Sequence, residues 1–415
     1  MPQASHTQST PSQPGTRELQ TARVWALCAL VILLEGFDLQ AAGVSAPRLA
    51  PAFHLAPVQL GYFLGASSVG IFLASALGGM AADRFGRRPV VAGGVALFGL
   101  FSLTTVAAHS LAWLLAARFC TGLGLGLAMP AVIAMASDHS PDHLKKRAVG
   151  FIYCAIPLGA LLSSAVLQSR WSGQDWRPVY LVGGLAPLVV APLLFWLLPA
   201  SRARRADQAA SPHPFRGGLF GKEHRVVTAY LWLGTFGTLL VVYLLLGWMP
   251  SLLIALGLPR SQVQSVQMAF NLGASLGAAA SGILLDRKYL VSTPLVNYLG
   301  LAAGLALLGY LTVGFHSALV LAAVVGATAT CGQAAIFALA PLCYGPEVRT
   351  TGVGATVSAG RFGTIAGPLM AGSLLGVGRS AADVLLVLIP ITLVSGLFVV
   401  GVARILGRPG TTMAS

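Results

Sequence analysis

Two acidic residues, Glu35 and Asp38, interrupt an apolar run long enough to cross a lipid bilayer, VWALCALVILLEGFDLQAAGVSA. Three positions separate them, so they share one face of a helix. A charged side chain at the bilayer centre costs about 2.5–3.5 kcal/mol on insertion scales. We therefore expect the pair to face a protein interior or an aqueous cavity. Because two close carboxylates away from water retain a proton readily, this pattern predicts proton binding and release.

Two basic residues, Arg118 and Arg361, also lie inside apolar segments. A guanidinium has the planar geometry that binds a carboxylate. Arg118 is predicted to pair with Glu35 or Asp38, or to hold a substrate anion. Arg361 is predicted to bind a substrate carboxylate, because no acid lies deep within the spans of its own half. The alternative for both residues is hydrogen bonding between helices.

Uncharged polar and aromatic residues within the spans are further candidates for substrate binding. The polar candidates, each of which could instead bond between helices, are Tyr153, Tyr243, Asn271 and Gln333. Three aromatic residues could stack on a substrate ring, although aromatic side chains are more often part of a core or a membrane interface: Phe37, Trp248 and Phe362.

The composition indicates a polytopic membrane protein. Of the 415 residues, 56% are hydrophobic and 9% are charged, whereas a soluble protein has about 25% charged residues. A crossing helix takes about 20 residues. Twelve apolar segments meet this length: 24–46, 59–81, 89–109, 112–135, 148–169, 178–198, 226–249, 262–285, 290–312, 316–341, 351–374 and 383–404.

The net charge of +14 comes from basic residues whose positions follow membrane topology. Nineteen of the 26 Lys and Arg residues lie in the tails and even-numbered loops, and five lie in the odd-numbered loops. This asymmetry predicts that both termini are cytoplasmic. The basic residues form no stripe interleaved with aromatic residues, so nucleic-acid binding is not expected. The five cysteines form no CxxC pair, and no metal site is predicted.

Internal similarity divides the chain into two halves. The motif that begins at Gly79 and ends in Asp83-Arg84 returns 203 residues later, beginning at Gly282 and ending in Asp286-Arg287. Two similar sets of six spans indicate a duplicated transporter that binds substrate between its halves. The predicted divisions are a disordered tail (1–20), an N-terminal half (21–200), a cytoplasmic linker (201–224), a C-terminal half (225–408) and a short tail (409–415).

The repeated motif lies at a predicted cytoplasmic helix end. Gly79 is expected to permit close helix approach and Gly86 a tight turn. The charged residues are expected to form a gate between helices that breaks and reforms, or else to set membrane topology alone. The residues assigned to this gate are Gly79, Asp83, Arg84, Gly86, Arg87, Arg88, Asp286 and Arg287.

Several of these segments carry a family resemblance. The stretch GMAADRFGRRP (79–89) resembles the signature loop of the major facilitator superfamily, and RFCTGLGLGLAMP resembles its fourth-helix pattern. The stretches EGFDLQAAGVSAP and CGQAAIFALAPLCYGPEVRTTGVG resemble the aromatic acid:proton symporters. Glu in the first acidic position, followed by DLQAAG, is similar to the 3-(3-hydroxyphenyl)propionate transporters. Asp138 stands where that family usually has Glu.

The resemblance implies an all-α fold of twelve transmembrane helices in two pseudo-symmetric halves. It also implies proton-coupled uptake of an aromatic carboxylate, such as a hydroxyphenylpropionate or cinnamate, by alternating access across a bacterial inner membrane. No cofactor is expected beyond the proton, and the protein is expected to be a monomer.

Two other functions compete with uptake. The first is proton-coupled efflux of a drug or metabolite on the same scaffold. The second is a membrane enzyme or a sensor, which the absence of an HExxH, GxSxG or Walker motif disfavours.

Overall fold

The computed structural model describes residues 14–141, 152, 154–169, 171–199, 219, 221, 224–284, 289–310, 314–345 and 348–407. The regular structure of these residues is helical. Three of the predicted site residues lie outside the described part of the chain: Tyr153, Asp286 and Arg287.

The first six helices form what we call the N-terminal half. They are α1 (Pro14–Ala52), α2 (Pro57–Phe85), α3 (Arg87–Val106), α4 (Leu111–Asp138), α5 (Ala155–Gln168) and α6 (Arg177–Leu197). Since α1 begins at Pro14, the prediction of a disordered tail is wrong for residues 14–20. There the chain continues the helix instead, through residues such as Glu18, Leu19 and Gln20 that form helices readily.

The next six helices form the C-terminal half. They are α7 (Arg225–Ala255), α8 (Arg260–Leu284), α9 (Ser292–Tyr310), α10 (Phe315–Leu339), α11 (Arg349–Gly376) and α12 (Ala381–Leu406). A 3₁₀ turn, Ala340–Cys343, extends α10. Each of the twelve predicted apolar segments coincides with one helix in the described part of the chain.

Nine helices within the described ranges are long and apolar enough to cross a membrane. The other three are α5, whose described part is short, and α8 and α11, which are less apolar. These three helices pack against the opposite half: α5 against α8, and α11 against α2. Helices that face another half in place of lipid can carry polar side chains at lower cost.

The helix ends fall on two faces of the bundle. At one face, the start of α1 meets the end of α4, where Thr21 donates to the carbonyl of His139. In the C-terminal half, the end of α12 lies at this same face, beside the start of α7, since Gly401 packs on Tyr230. We call this the termini face and the opposite one the far face. At the far face, Arg48 near the end of α1 donates to the carbonyl of Leu167 near the end of α5.

The apolar core has a different layout at the two faces. Toward the far face, one continuous buried cluster contains residues of both halves, such as Leu60 and Leu252. Toward the termini face, each half has its own cluster, one around Met135 and the other around Tyr344. The two halves are therefore packed together at the far face and have separate cores at the termini face.

The α2 and α11 contact shows the same asymmetry. At the far face, a Cβ added to Gly61 would lie 2.9 Å from the carbonyl oxygen of Pro368, so the two backbones touch. Farther along, the rings of Phe72 and Phe362 are 4.9 Å apart. Still nearer the termini face, a Cβ on Gly79 would meet nothing within 4 Å. Because Gly61, Phe72 and Gly79 lie on one stripe of α2, the two helices diverge toward the termini face.

Candidate functional site

Asp38 forms a buried ion pair with Arg118 at the centre of the N-terminal half. The Nη1 atom of Arg118 lies 3.0 Å from each carboxylate oxygen of Asp38, and Nη2 donates to the backbone carbonyl of the same residue at 3.3 Å. Ser102 of α3 also donates to the carboxylate, at 3.1 Å. Asp38 is 0% and Arg118 1% exposed, so α1, α3 and α4 are joined by charge-assisted bonds away from water.

The guanidinium of Arg118 is enclosed by further groups of its own half. It lies 5.9 Å from the ring centroid of Tyr180 in α6, whose hydroxyl is hydrogen-bonded to Ser45 at 2.9 Å. Its Nε atom has no hydrogen-bond partner among the described residues. The sequence left the partner of Arg118 open, and the structure assigns Asp38 to it.

Glu35 lies one turn from Asp38 on the same helix but has different neighbours. Its side chain is 3% exposed, and its Oε2 atom has no hydrogen-bond partner in the described part of the chain. Arg361 of α11 is the charged group that acts on it most strongly, followed by Asp38. Among the described residues, Asp38 is thus held in an ion pair, and no ion pair is found for Glu35.

Arg361 also interacts with the hydroxyl of Tyr243 in α7. We call Glu35, Tyr243 and Arg361 the central cluster. The cluster joins α1 of one half to α7 and α11 of the other. An anion that entered it would meet a guanidinium and a phenol from the C-terminal half, and a carboxyl group from the N-terminal half.

A small cavity of about 20 Å³ lies beside the central cluster. Its walls include Arg118, Tyr243 and Ser67. The space is sufficient for one water molecule and far smaller than the volume of an aromatic acid. This cavity by itself is therefore too small to hold a substrate of that size.

A row of amides on α8 faces the N-terminal half, and sequence reasoning identified only one member of it, Asn271. The Nε2 atom of Gln264 donates to the carbonyl of Val44, and that of Gln267 donates to Oε1 of Gln40, both at 3.3 Å. The spacing of Gln264, Gln267 and Asn271 places all three on one helix face. That spacing was the signal in the sequence that could have identified the whole row.

Other predicted binding residues lie in less informative places. Gln333 is half-buried in α10. Of the three aromatic candidates, Phe37 packs on Gly183 of α6, and Trp248 donates to the carbonyl of Pro368 at 3.0 Å. Phe362 contacts Phe72 and is half exposed. The structure thus gives Phe37 and Trp248 packing roles, whereas Phe362 also lines a cavity of about 670 Å³.

The predicted gate residues lie at the termini face, and the contacts described for them stay within the N-terminal half. Arg87 forms an ion pair with Asp138 of α4, and Arg88 lies 4.5 Å from the ring centroid of Phe195. The side chains of Asp83 and Arg84 are exposed. A gate between the halves stays a prediction.

The two glycines of the gate motif have different outcomes. Gly86 has φ of 89° and separates α2 from α3, so the tight turn predicted there is confirmed. The close approach predicted at Gly79 is wrong, since Gly79 faces open space. The neighbouring Gly78 makes that approach: a Cβ there would lie 2.7 Å from the carbonyl oxygen of Leu127 in α4. One residue turns a helix by about 100°, which separates the two faces.

No group of three or more His, Cys, Asp and Glu side chains in the described part of the chain is placed to hold a metal ion. In the same part of the chain, twelve helices surround buried charged residues, an ion pair within the N-terminal half and the central cluster between the halves. These features define a membrane carrier. The chain belongs to the Major Facilitator Superfamily, whose family model matches residues 28–368.

Individual relatives agree with this membership. The chain is 41% identical to the 3-(3-hydroxy-phenyl)propionate transporter of Escherichia coli (strain K12), over 94% of this chain and 95% of that one. It is 31% identical to the gallate transporter of Pseudomonas putida, over 86% of each. Among solved structures, a bacterial homolog of the human lysosomal transporter Spinster has a TM-score of 0.75 at 16% identity, covering 96% of this chain and all of that one.

The predicted class, a multi-pass membrane transporter and not an enzyme, is confirmed by family membership. The predicted resemblance to aromatic acid transporters is confirmed by the curated relatives. The roles of individual site residues, the proton coupling and the orientation of the termini stay predictions.

Proposed function

We propose that this protein takes up an aromatic carboxylate together with protons, with 3-(3-hydroxyphenyl)propionate or a related hydroxyphenylpropionate or cinnamate as its substrate. The names of the relatives support an aromatic acid, since they carry a hydroxyphenylpropionate and gallate. The presence of a guanidinium at the interface of the halves supports an anionic substrate.

The observation that carries the proposal is the environment of Glu35. Its carboxyl group is buried, its Oε2 atom lacks a hydrogen bond among the described residues, and Arg361 is the charged group that acts on it most strongly. A buried ionised carboxylate without hydrogen bonds is costly, and the cost falls when it is protonated or neutralised. Glu35 is therefore the acid that exchanges protons, whereas Asp38 positions α1 against α4 through Arg118.

Arg361 is assigned to the substrate carboxylate. When the substrate anion binds Arg361, that guanidinium no longer neutralises Glu35, and Glu35 takes up a proton. Substrate and proton binding thus favour each other through one shared cation. A monoanion that moves with one proton carries no net charge. Any further proton adds about 2.3 kcal/mol of driving force per 100 mV of membrane potential.

The remaining topology completes the proposal. Twelve helices cross the inner membrane of a bacterium, and both termini are cytoplasmic. Residues 21–200 and 225–408 form the two halves, and 201–224 form the linker. The termini face is then the cytoplasmic face. The far face, where the two halves pack together, is then the periplasmic face, and it is closed. A carrier that is closed on the periplasmic side is in the state that releases substrate into the cell.

The test is uptake of radiolabelled 3-(3-hydroxyphenyl)propionate into vesicles, in competition with unlabelled benzoates, hydroxybenzoates, cinnamates and sugars. We expect competition from phenylpropionates and cinnamates and none from sugars, and we expect an uncoupler to abolish accumulation. Accumulation that persists without a proton gradient would contradict the coupling.

Export is the second outcome that the test must separate from uptake. A deletion strain that fails to grow on the aromatic acid supports uptake. A strain that grows normally but tolerates toxic compounds poorly would instead favour efflux.

A further inference from the structure

We infer that the amides of Gln267 and Asn271 recognise the ring hydroxyl of the substrate. This inference rests on the proposed function and adds a specificity site that is separate from the central cluster. It assigns to α8 the selection of hydroxylated over unsubstituted aromatic acids.

The first argument is that both amides have buried atoms with unused hydrogen-bonding capacity. Gln267 is 0% exposed, and its Oε1 atom has no partner among the described residues. Asn271 is 1% exposed, and its Nδ2 atom likewise has none in the described part of the chain. Buried polar atoms of this kind are rare in folded proteins and need a partner to offset their desolvation.

The second argument is the depth of these atoms in the bundle. The bonds from Gln264 to Val44 and from Gln267 to Gln40 show that α8 runs antiparallel to α1. One turn farther along α8, Asn271 therefore lies level with the residues next to Glu35 on α1. The two amides thus lie across the interface of the halves from α1. Asn271 is at the level of the central cluster, and Gln267 is one turn nearer the far face.

The third argument is chemical complementarity. Gln267 and Asn271 are four residues apart, so their side chains lie one above the other on the helix and can reach a common atom. The unused oxygen accepts a hydrogen bond, and the unused amide nitrogen donates one. A phenolic hydroxyl donates one bond and accepts another, so it satisfies both atoms at once. An unsubstituted ring leaves both unsatisfied.

The opposite face of α8 cannot serve this purpose. Gly273 and Gly277 bring that face into backbone contact with Ala323 and Ala327 of α10. Packing on α10 fixes the rotation of α8, and this rotation directs the amide row toward α1 and α5.

The experiment compares 3-(3-hydroxyphenyl)propionate with 3-phenylpropionate, which lacks the hydroxyl. Uptake efficiency for each acid is measured for the wild-type protein and for the near-isosteric variants Gln267→Met and Asn271→Leu. A site that binds a hydroxyl discriminates strongly against the analogue without it. We expect the wild-type protein to prefer the hydroxylated acid and each variant to lose about tenfold of this preference, since a tenfold change corresponds to about 1.4 kcal/mol.

The control is Ser275→Ala, on the same helix face one turn beyond Asn271. Its hydroxyl already donates to the backbone carbonyl of Asn271 at 3.0 Å, so its removal is expected to leave the preference unchanged. If the variants lower uptake of both acids equally, the amides are structural and the inference is wrong. If the wild-type protein takes up neither acid, the proposed function is wrong, and the assignment of Gln267 and Asn271 to the ring hydroxyl is wrong as well.

Discussion

At the scale of single residues, the two acids of α1 differ in the groups that offset the cost of burying a carboxylate. Asp38 receives two bonds from one nitrogen of Arg118 and a third from Ser102. Glu35 has the charge of Arg361 nearby and no hydrogen bond to Oε2 from a described residue. Loss of charge at Asp38 breaks a structural link, whereas loss of charge at Glu35 does not.

This difference predicts the effect of breaking the ion pair. Because removal of one member of a buried pair leaves the other uncompensated, Asp38→Asn or Arg118→Gln is expected to lower the unfolding free energy by about 3–5 kcal/mol. Thermal unfolding of the purified protein in detergent measures the change. The double variant is expected to lose less than the sum of the two. Additive losses would show that the residues act independently.

Arg361 is expected to determine affinity for the substrate carboxylate. A charge-assisted hydrogen bond is worth about 1.5–3 kcal/mol, so Arg361→Gln should raise the KM for uptake about tenfold to a hundredfold, and Arg361→Lys less. The exposed Arg379 provides a matched control, because Arg379→Gln removes the same charge far from the site. An unchanged KM in Arg361→Gln would exclude this residue from the binding site.

The sequence identified the charged residues of the site but not their pairing. Glu35 and Asp38 were predicted to share a helix face, and they do. Among the described residues, Asp38 is paired and Glu35 is unpaired because of where α4 and α11 place Arg118 and Arg361. The spacing of residues within α1 carries no information about the positions of those two arginines. Gln264 and Gln267 were missed although their spacing from Asn271 places all three on one helix face, because only the contacts of α8 with α1 show that this face meets the other half.

At the scale of helices, glycines set how closely the two halves approach. Gly61 of α2 and Gly372 of α11 bring the backbones into contact at the far face, whereas Gly79 faces open space. The length of the apolar runs alone predicted the twelve segments, because burial and lipid contact demand the same residue types. It did not predict which of the adjacent glycines, Gly78 or Gly79, packs against α4.

A wedge at the α2 and α11 contact should therefore open the far face. Gly61→Val places methyl groups where the carbonyl oxygen of Pro368 is already within 2.9 Å of a Cβ position. We expect slower uptake and greater labelling by a membrane-impermeant thiol reagent of a cysteine introduced at Ser265, in a variant without the native cysteines. Gly79→Ala is the control and should change neither. Equal effects of both substitutions would contradict the packing described for α2.

At the scale of the whole molecule, the two halves share one apolar core at the far face and have separate cores at the termini face. Alternating access requires this shared core to separate during each cycle. The hydrogen bond from Gln168 of α5 to Ser265 of α8, at 2.8 Å, is one of the links that must break.

A covalent link at that position should stop transport. In a variant without the native cysteines, Gln168→Cys with Ser265→Cys is expected to be joined by a short bifunctional thiol reagent, with loss of uptake. Each single cysteine variant treated in the same way is the control and should remain active. Full activity of the linked protein would show that the far face does not open.

The central claim is that Glu35 carries the proton that drives accumulation. Its most direct test is uptake of labelled 3-(3-hydroxyphenyl)propionate by proteoliposomes that contain the Glu35→Gln variant, with and without an inward proton gradient. We predict that the variant still exchanges labelled for unlabelled substrate across the membrane but no longer accumulates it when the gradient is applied. Accumulation equal to that of the wild-type protein would contradict the account.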